Sequence, residues 1–333
     1  MLILMFRAAT ILARTGAALA ATLIATGPAL TQVVHTGAQP PPLLSGPYAP
    51  GSTIGCGEPA GFSQAAMANA SSLYGLNWNP FGPPEQGWAV YEPLIAHEIG
   101  VSCAASTPGF AAALAAFQAK YAIAADGVMS PATFEVFKGV WQERRPFVMM
   151  RVQSLCPDAP LSDLLISLPK TQETFNREGR ALRLDAFRAY QRMVAAARAE
   201  SPPIRSDAKA LSLFSGYRSA MADRARCETE HNCDGAHRAA CSAHRTGTAV
   251  DLNVGWMPGL SADTASTANR LMQTRSPAYR WLVDNAARFG FVNYPFEPWH
   301  WEYVGPLTAV GQTPIAPKQS LDQKFPLPIS SAH

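Results

Sequence analysis

Hydrophobic and polar positions change period along this chain, and each period predicts a different element. Leu182, Leu184, Phe187, Tyr190, Met193, Val194 and Ala197 recur near helical spacing, while Arg183, Arg188, Arg192 and Arg198 fall largely elsewhere. This predicts an amphipathic helix with one face on a core and a solvated basic face. Pro202 and Pro203 end it. Further on the period becomes two. Val250 and Leu252 alternate with Ala249, Asp251 and Asn253, and Trp299, Trp301 and Tyr303 alternate with His300 and Glu302. These stretches predict two strands side by side, and residues 210–214 predict another.

Capping residues mark further helices. Thr107 before Pro108, Ser130 before Pro131 and Ser276 before Pro277 each place an N-cap ahead of a proline at the first helical position. They predict helices over 108–121 and 131–144, and one from 277 that turns Trp281, Leu282 and Phe289 inward and stops at Gly290. A further helix is expected over 88–99. Asp126-Gly127 is a turn signal, and 151–174 reads as an irregular connector.

The resulting fold class is α+β: a small antiparallel-sheet domain flanked by helices, preceded by a small three-helix domain. At the start of the chain, Arg7 and Arg14 precede an uncharged run over 15–30, with Ala-Leu-Ala at 18–20 and Gly-Pro-Ala at 27–29 as candidate cleavage sites. That run is shorter than the roughly 20 residues needed to cross a bilayer, so it reads as an export signal rather than an anchor. The expected organisation is a signal over 1–30, a Pro/Gly-rich linker over 31–55 and a helical domain over 56–148. A connector over 149–176, the sheet domain over 177–305 and a Pro-rich tail over 306–333 follow. The protein is expected in the periplasm or cell envelope, meeting a membrane only through its export signal.

Composition narrows the class without changing it. With 333 residues, 48% hydrophobic and 15% charged, the chain is globular rather than disordered, and a net charge of +3 is too small to argue for nucleic acid. Six cysteines on an exported chain argue for disulfides, with 15 connectivities open and Cys56 to Cys103 the pairing expected within the first unit. Cys227, His231, Cys233, His237 and Cys241 could instead hold a structural zinc, although their spacing lacks the usual C-x-x-C pairing. His97-Glu98 begins like H-E-x-x-H, but position 101 is Val, so it reads as an ordinary helix face.

The chemistry concentrates in one region. His244, Asp251 and His300 offer a divalent metal two nitrogens and one oxygen, which leaves a fourth tetrahedral position open, as in a catalytic rather than a structural zinc site. Glu297, three residues before His300, is the candidate general base. Gly247 allows a turn or close approach that returns His244 to the strand end. Arg218 follows a predicted strand, where a fixed guanidinium can hold an oxyanion or a substrate carboxylate. Ser242 could orient the substrate's terminus or fix the loop that carries His244.

These residues sit in motifs that resemble a known family. SAHRTGTAVD at 242–251, EPWHWEYVG at 297–305 and SGYRS at 215–219 are similar to the three signatures of the VanY-type zinc D-alanyl-D-alanine carboxypeptidases. The resemblance covers roughly residues 180–305 and implies the mixed fold shared with lysostaphin-type and hedgehog-type domains. It implies Zn2+ on His244, Asp251 and His300, Glu297 as base, Arg218 as carbonyl-polarising group, and peptidoglycan peptides as substrates. The segment FAAALAAFQAKYAIAADGVMSPATFEVF at 110–137 resembles a three-helix peptidoglycan-binding module through Phe117, Gln118, Asp126, Gly127, Val128, Pro131, Ala132 and Thr133. Other expectations remain beside this one: an endopeptidase of the same fold, or a wall-binding protein without turnover.

Overall fold

A computed structural model describes residues 55–175, 180–231, 233 and 241–307. The expected signal, nearly all of the linker, His237 and most of the tail lie outside the described residues. Among the described residues no helix is long and apolar enough to cross a membrane.

The N-terminal part is built of helices and one small hairpin. In order come α1 (Ser63–Gly75), β1 (Asn77–Trp78), β2 (Glu85–Gln86), α2 (Glu92–Glu98), α3 (Pro108–Lys120), α4 (Pro131–Glu143) and α5 (Pro146–Val152). The caps read from sequence are in place: the Thr107 side chain accepts from the Phe110 amide, and the Ser130 side chain from the Thr133 amide. The helix expected over 88–99 is shorter. It starts at Glu92 because Pro93 has no amide hydrogen and is tolerated only in the first turn. Helix α1 escaped the periodicity reading, since SQAAMANASSLYG offers small residues on every face and buries only Ala65, Ala66 and Asn69. Among the described residues the N-terminal region thus holds five α-helices, where three were expected.

Aromatic rings fill the core of this region, with Trp88, Tyr91, Phe110, Phe134 and Phe137 fully buried. Each such burial contributes on the order of 1.5–3 kcal/mol. Gln118 organises the turn that follows α3. Its amide nitrogen donates to Asp126, the Val128 carbonyl and Thr133, and its oxygen accepts from the Gly127 amide. Those residues of the expected module are therefore accounted for by turn chemistry. Glu98 forms a two-pronged pair with Arg144 at 2.7 Å on each arm, in keeping with an ordinary helix face at His97-Glu98.

The C-terminal part opens with an antiparallel pair: β3 (Leu165–Ser167), in the stretch expected to be irregular, and β4 (Ala181–Arg183), which takes Leu182 and Arg183, expected in the amphipathic helix, into a strand. Helix α6 (Leu184–Glu200) is the amphipathic helix, burying Ala186, Ala189, Tyr190, Met193 and Ala197. Then follow α7 (Pro202–Ser206), β5 (Leu213–Ser215), α8 (Ala220–Thr229), β6 (Ala249–Leu252), α9 (Thr267–Arg275), α10 (Pro277–Asn285), β7 (Phe291–Tyr294) and β8 (Glu297–Tyr303). The central sheet is antiparallel with order β5-β6-β8-β7. Its buried apolar face, with Val250, Leu252, Trp299 and Trp301, packs with α6 and α10 residues such as Tyr190, Met193, Tyr279 and Leu282. The expected mixed fold with small antiparallel sheets is the one observed.

Three disulfides link the described cysteines: Cys56–Cys103, as expected, Cys156–Cys241 and Cys227–Cys233. Thiolates tied up in this way cannot bind a structural zinc, so that alternative is set aside.

Candidate metal centre

Pairing of β6 with β8 sets Asp251 directly opposite His300. The Asp251 Oδ1 lies 3.0 Å from His300 Nδ1, and Oδ2 lies 3.2 Å from His244 Nε2. The sheet supplies two of the groups, and a turn supplies the third. His244 sits in a 3-10 turn (Ala243–Thr246) that ends at Gly247 with φ 70°. A Cβ at Gly247 would lie 3.1 Å from the side chains of Arg183 and Leu165, so both the positive φ and the close approach favour glycine.

The His244 ring is oriented from behind. Its Nδ1 lies 2.7 Å from the Gly216 carbonyl oxygen, an acceptor, so Nδ1 carries a hydrogen and Nε2 is the nitrogen that faces Asp251. Gly216 lies so close to β4 that a Cβ there would be 2.6 Å from the Ala181 carbonyl oxygen. On His300 the roles of the nitrogens are reversed. Nδ1 faces Asp251, and Nε2 lies 3.1 Å from Glu302 Oε1.

One donor atom from each of His244, Asp251 and His300 lies within 4.8 Å of the others, and all three residues are buried. Donor atoms that close on three buried residues can share one ion with a position left open. Two imidazole nitrogens and one carboxylate oxygen also suit the ion chemically. The residues fit a zinc ion.

The electrostatics of the metal-free cluster follow from burial and proximity. Burial opposes ionisation of Asp251, but the two imidazoles outweigh it and hold the carboxyl well below its usual range. Burial lowers His244 against the attraction of Asp251. For His300 burial also opposes the charge, but hydrogen bonds to Asp251 and Glu302 prevail and raise it to about 9. Glu302, despite burial, is drawn down to about 2 by Arg145 and His300.

The other expected site residues gather around this cluster. Glu297 begins β8, with Oε2 4.0 Å from His300 Nδ1 and a side chain 16% exposed, the most open of the carboxylates here. Arg218 follows β5; its amide donates to the His244 carbonyl at 3.1 Å, and its charge acts to lower His244. Ser242 donates through Oγ to Asp223 Oδ1 at 2.9 Å and through its amide to Oδ2 at 3.2 Å. Its hydroxyl therefore holds the loop that carries His244.

Three contributors were not read from the sequence. Asp223 on α8 is buried and also takes Arg218 at 3.5 Å and Arg245 at 3.3 Å. Its one local signal is the Ser219 cap that starts α8. Glu302 and Arg145 are the other two, and their separation of 157 positions gave no local signal.

Comparison with known proteins places this geometry in context. Residues 179–306 match the family model described as VanY: D-alanyl-D-alanine carboxypeptidase. A D-alanyl-D-alanine carboxypeptidase of Enterococcus faecalis is 36% identical over 101 residues, which are 27% of this chain and 30% of that protein. The chain thus spans about a third of the length of the curated relative it matches. Among solved structures, the LdcB LD-carboxypeptidase aligns over 45% of this chain and 67% of its own, at 24% identity and a TM-score of 0.29. A glutamate-to-alanine mutant of the vancomycin-resistance D,D-pentapeptidase VanY in complex with Zn(II) aligns over 44% and 80%, at 23% identity and a TM-score of 0.27. The span that matches this family model contains His244, Asp251, Glu297 and His300 together with Arg218.

Proposed function

We propose that this protein is an exported, zinc-dependent peptidase that removes the terminal D-alanine from peptidoglycan stem peptides. The observation that carries the reading is convergence: His244, Asp251 and His300 aim donor atoms at one point while Glu297, outside that ligand set, stands 4.0 Å from His300. The family match over 179–306 and the likeness to a D-alanyl-D-alanine carboxypeptidase support the substrate class.

A zinc ion on His244, Asp251 and His300 would supply Lewis acidity and an acidified water. The chain's own groups do the rest. Glu297 takes a proton from water as the oxygen adds to the amide carbonyl carbon. It returns that proton to the nitrogen as the C–N bond breaks and D-alanine leaves with a free amine. Arg218, steadied by Asp223 at 3.5 Å, places a fixed positive charge where the oxyanion develops or where the terminal carboxylate must sit. Asp223 ties Arg218 to Ser242, so the segments after β5 and before β6 are joined through one carboxylate.

The test is mass spectrometry of products after the zinc-loaded protein meets a stem pentapeptide ending in D-Ala-D-Ala, and separately cross-linked muropeptides. Chelator-sensitive loss of a single alanine is the expected outcome. Cleavage only within cross-linked material would make the protein an endopeptidase, and no cleavage at all would leave a wall-binding role.

A further inference from the structure

The groups assigned to the reaction all lie within residues 179–306, yet one charged side chain reaching this site comes from outside that span. Arg145, between α4 and α5, is 5% exposed. Its Nε donates to Glu302 Oε1 at 3.0 Å, and Nη2 donates to the same oxygen. Its Nη1 donates to Gln142, and its guanidinium lies 4.2 Å over the Tyr294 ring. Glu302 Oε1 also accepts from His300 Nε2 at 3.1 Å. The edge of the His300 ring away from Asp251 is therefore gripped by a carboxylate that is itself gripped by an arginine from the helical region.

We propose that Arg145 and Glu302 are positioning residues of the metal centre, so that the site depends on the helical segment that precedes the family-matched domain. The inference rests on the reading of His300 as a metal ligand. An imidazole can turn about its Cβ–Cγ bond, and the ring nitrogen that faces a metal is set by the hydrogen bond made by the other one. Glu302 fixes the hydrogen on Nε2 and so presents Nδ1 toward Asp251 and the ion. Glu302 is 3% exposed, and a buried carboxylate is held in place only with a partner of opposite charge. Arg145 is that partner, and its planar fork serves Glu302 and Gln142 together, which a lysine ammonium cannot reproduce.

The experiment compares the full chain with Arg145→Met, Arg145→Lys, Glu302→Gln, the Arg145→Met/Glu302→Gln double variant and His300→Ala. It measures zinc affinity by chelator competition, the cobalt(II) visible spectrum, and kcat and KM on the stem pentapeptide. Thermal unfolding of each metal-free protein reports folding separately. Loss of such a partner typically weakens metal binding by about 10–100-fold. Arg145→Met is expected to fall in that range, with an altered cobalt spectrum and a lower kcat at a KM within about twofold of wild type. Arg145→Lys should recover part of the loss, and the double variant should bind no more weakly than the worse single one. Glu302→Gln, nearly isosteric, decides the matter if Arg145→Met does not fold. If His300→Ala loses zinc while the Arg145 and Glu302 variants keep wild-type affinity and spectrum, the inference is overturned and the metal centre stands. If His300→Ala itself keeps wild-type zinc affinity, the reading of the centre falls and the inference falls with it.

Discussion

Two buried charged clusters join the helical region to the sheet domain, and they are built differently. In one, Arg270 of α9 pairs with Glu85 at 3.0 Å and donates to the Tyr91 hydroxyl at 2.6 Å, while Tyr91 donates to Glu85 at 2.9 Å. In the other, Arg145 pairs with Glu302, which holds His300, which faces Asp251 and His244. Both perturb titration: burial pushes the Tyr91 hydroxyl far above its usual range, and hydrogen bonding raises His300 to about 9. Perturbation alone therefore does not mark a site. In the first cluster Nη1 and Nη2 of Arg270 and the Tyr91 hydroxyl turn to oxygens inside the triad. The second aims three lone-pair donors at one point and sets a partly exposed carboxylate beside it, which is a geometry for binding and chemistry.

Substitutions can break this contrast, and the largest expected effect is on the reaction itself. Glu297→Ala should lower kcat by about 10²–10⁴-fold, the range for a lost general base, while one equivalent of zinc remains bound. Equal loss of zinc would make Glu297 a ligand instead. Next comes Arg270→Met, which strands a buried carboxylate at Glu85. It should cost about 3–5 kcal/mol of stability in denaturant unfolding and leave zinc affinity unchanged, because the Arg270 triad includes none of the three metal-binding side chains.

The pH dependence of the metal-free protein separates the clusters more finely. His300 is raised from 6.5 to about 9, so its contribution to stability is fully present below about 6.5 and is lost as pH rises through 9. Thermal unfolding temperatures should fall across that window, and less so in His300→Gln. Zinc affinity should rise over the same window, since binding displaces a proton from His300, and calorimetry in two buffers of different ionisation enthalpy should detect its release. A flat affinity profile would contradict the placement of His300 Nδ1 at the ion. The smallest effect belongs to an exposed pair: Arg288→Ala removes the 3.1 Å contact with Glu200 and should change stability by about 0–1 kcal/mol, with no effect on zinc.

How far the sequence revealed these clusters depends on distance along the chain. The two strands of the site were legible because alternation with Trp299 and Trp301 set His300 on the face opposite the aromatics. Helices α3, α4 and α10 were legible because a Thr or Ser cap and a proline mark each start. Helix α1 was not, since small residues give no stripe, nor was α8, whose apolar residues are mostly alanines interleaved with charges. The pair β3 and β4 was hidden because each strand has only three residues and the pair spans a long connection. Glu302 was read only as the polar alternate to Trp301. Its role needs Arg145, which no local pattern links to it, just as Tyr91 needs Arg270 179 positions away.

The central claim is that the converging cluster is a metal centre, and zinc titration of the wild-type chain beside His244→Ala tests it most directly. Binding of one zinc per chain that is lost in His244→Ala and kept in Glu297→Ala is the predicted result. A wild-type chain that binds no zinc, or a His244→Ala variant that binds it equally well, would contradict the account.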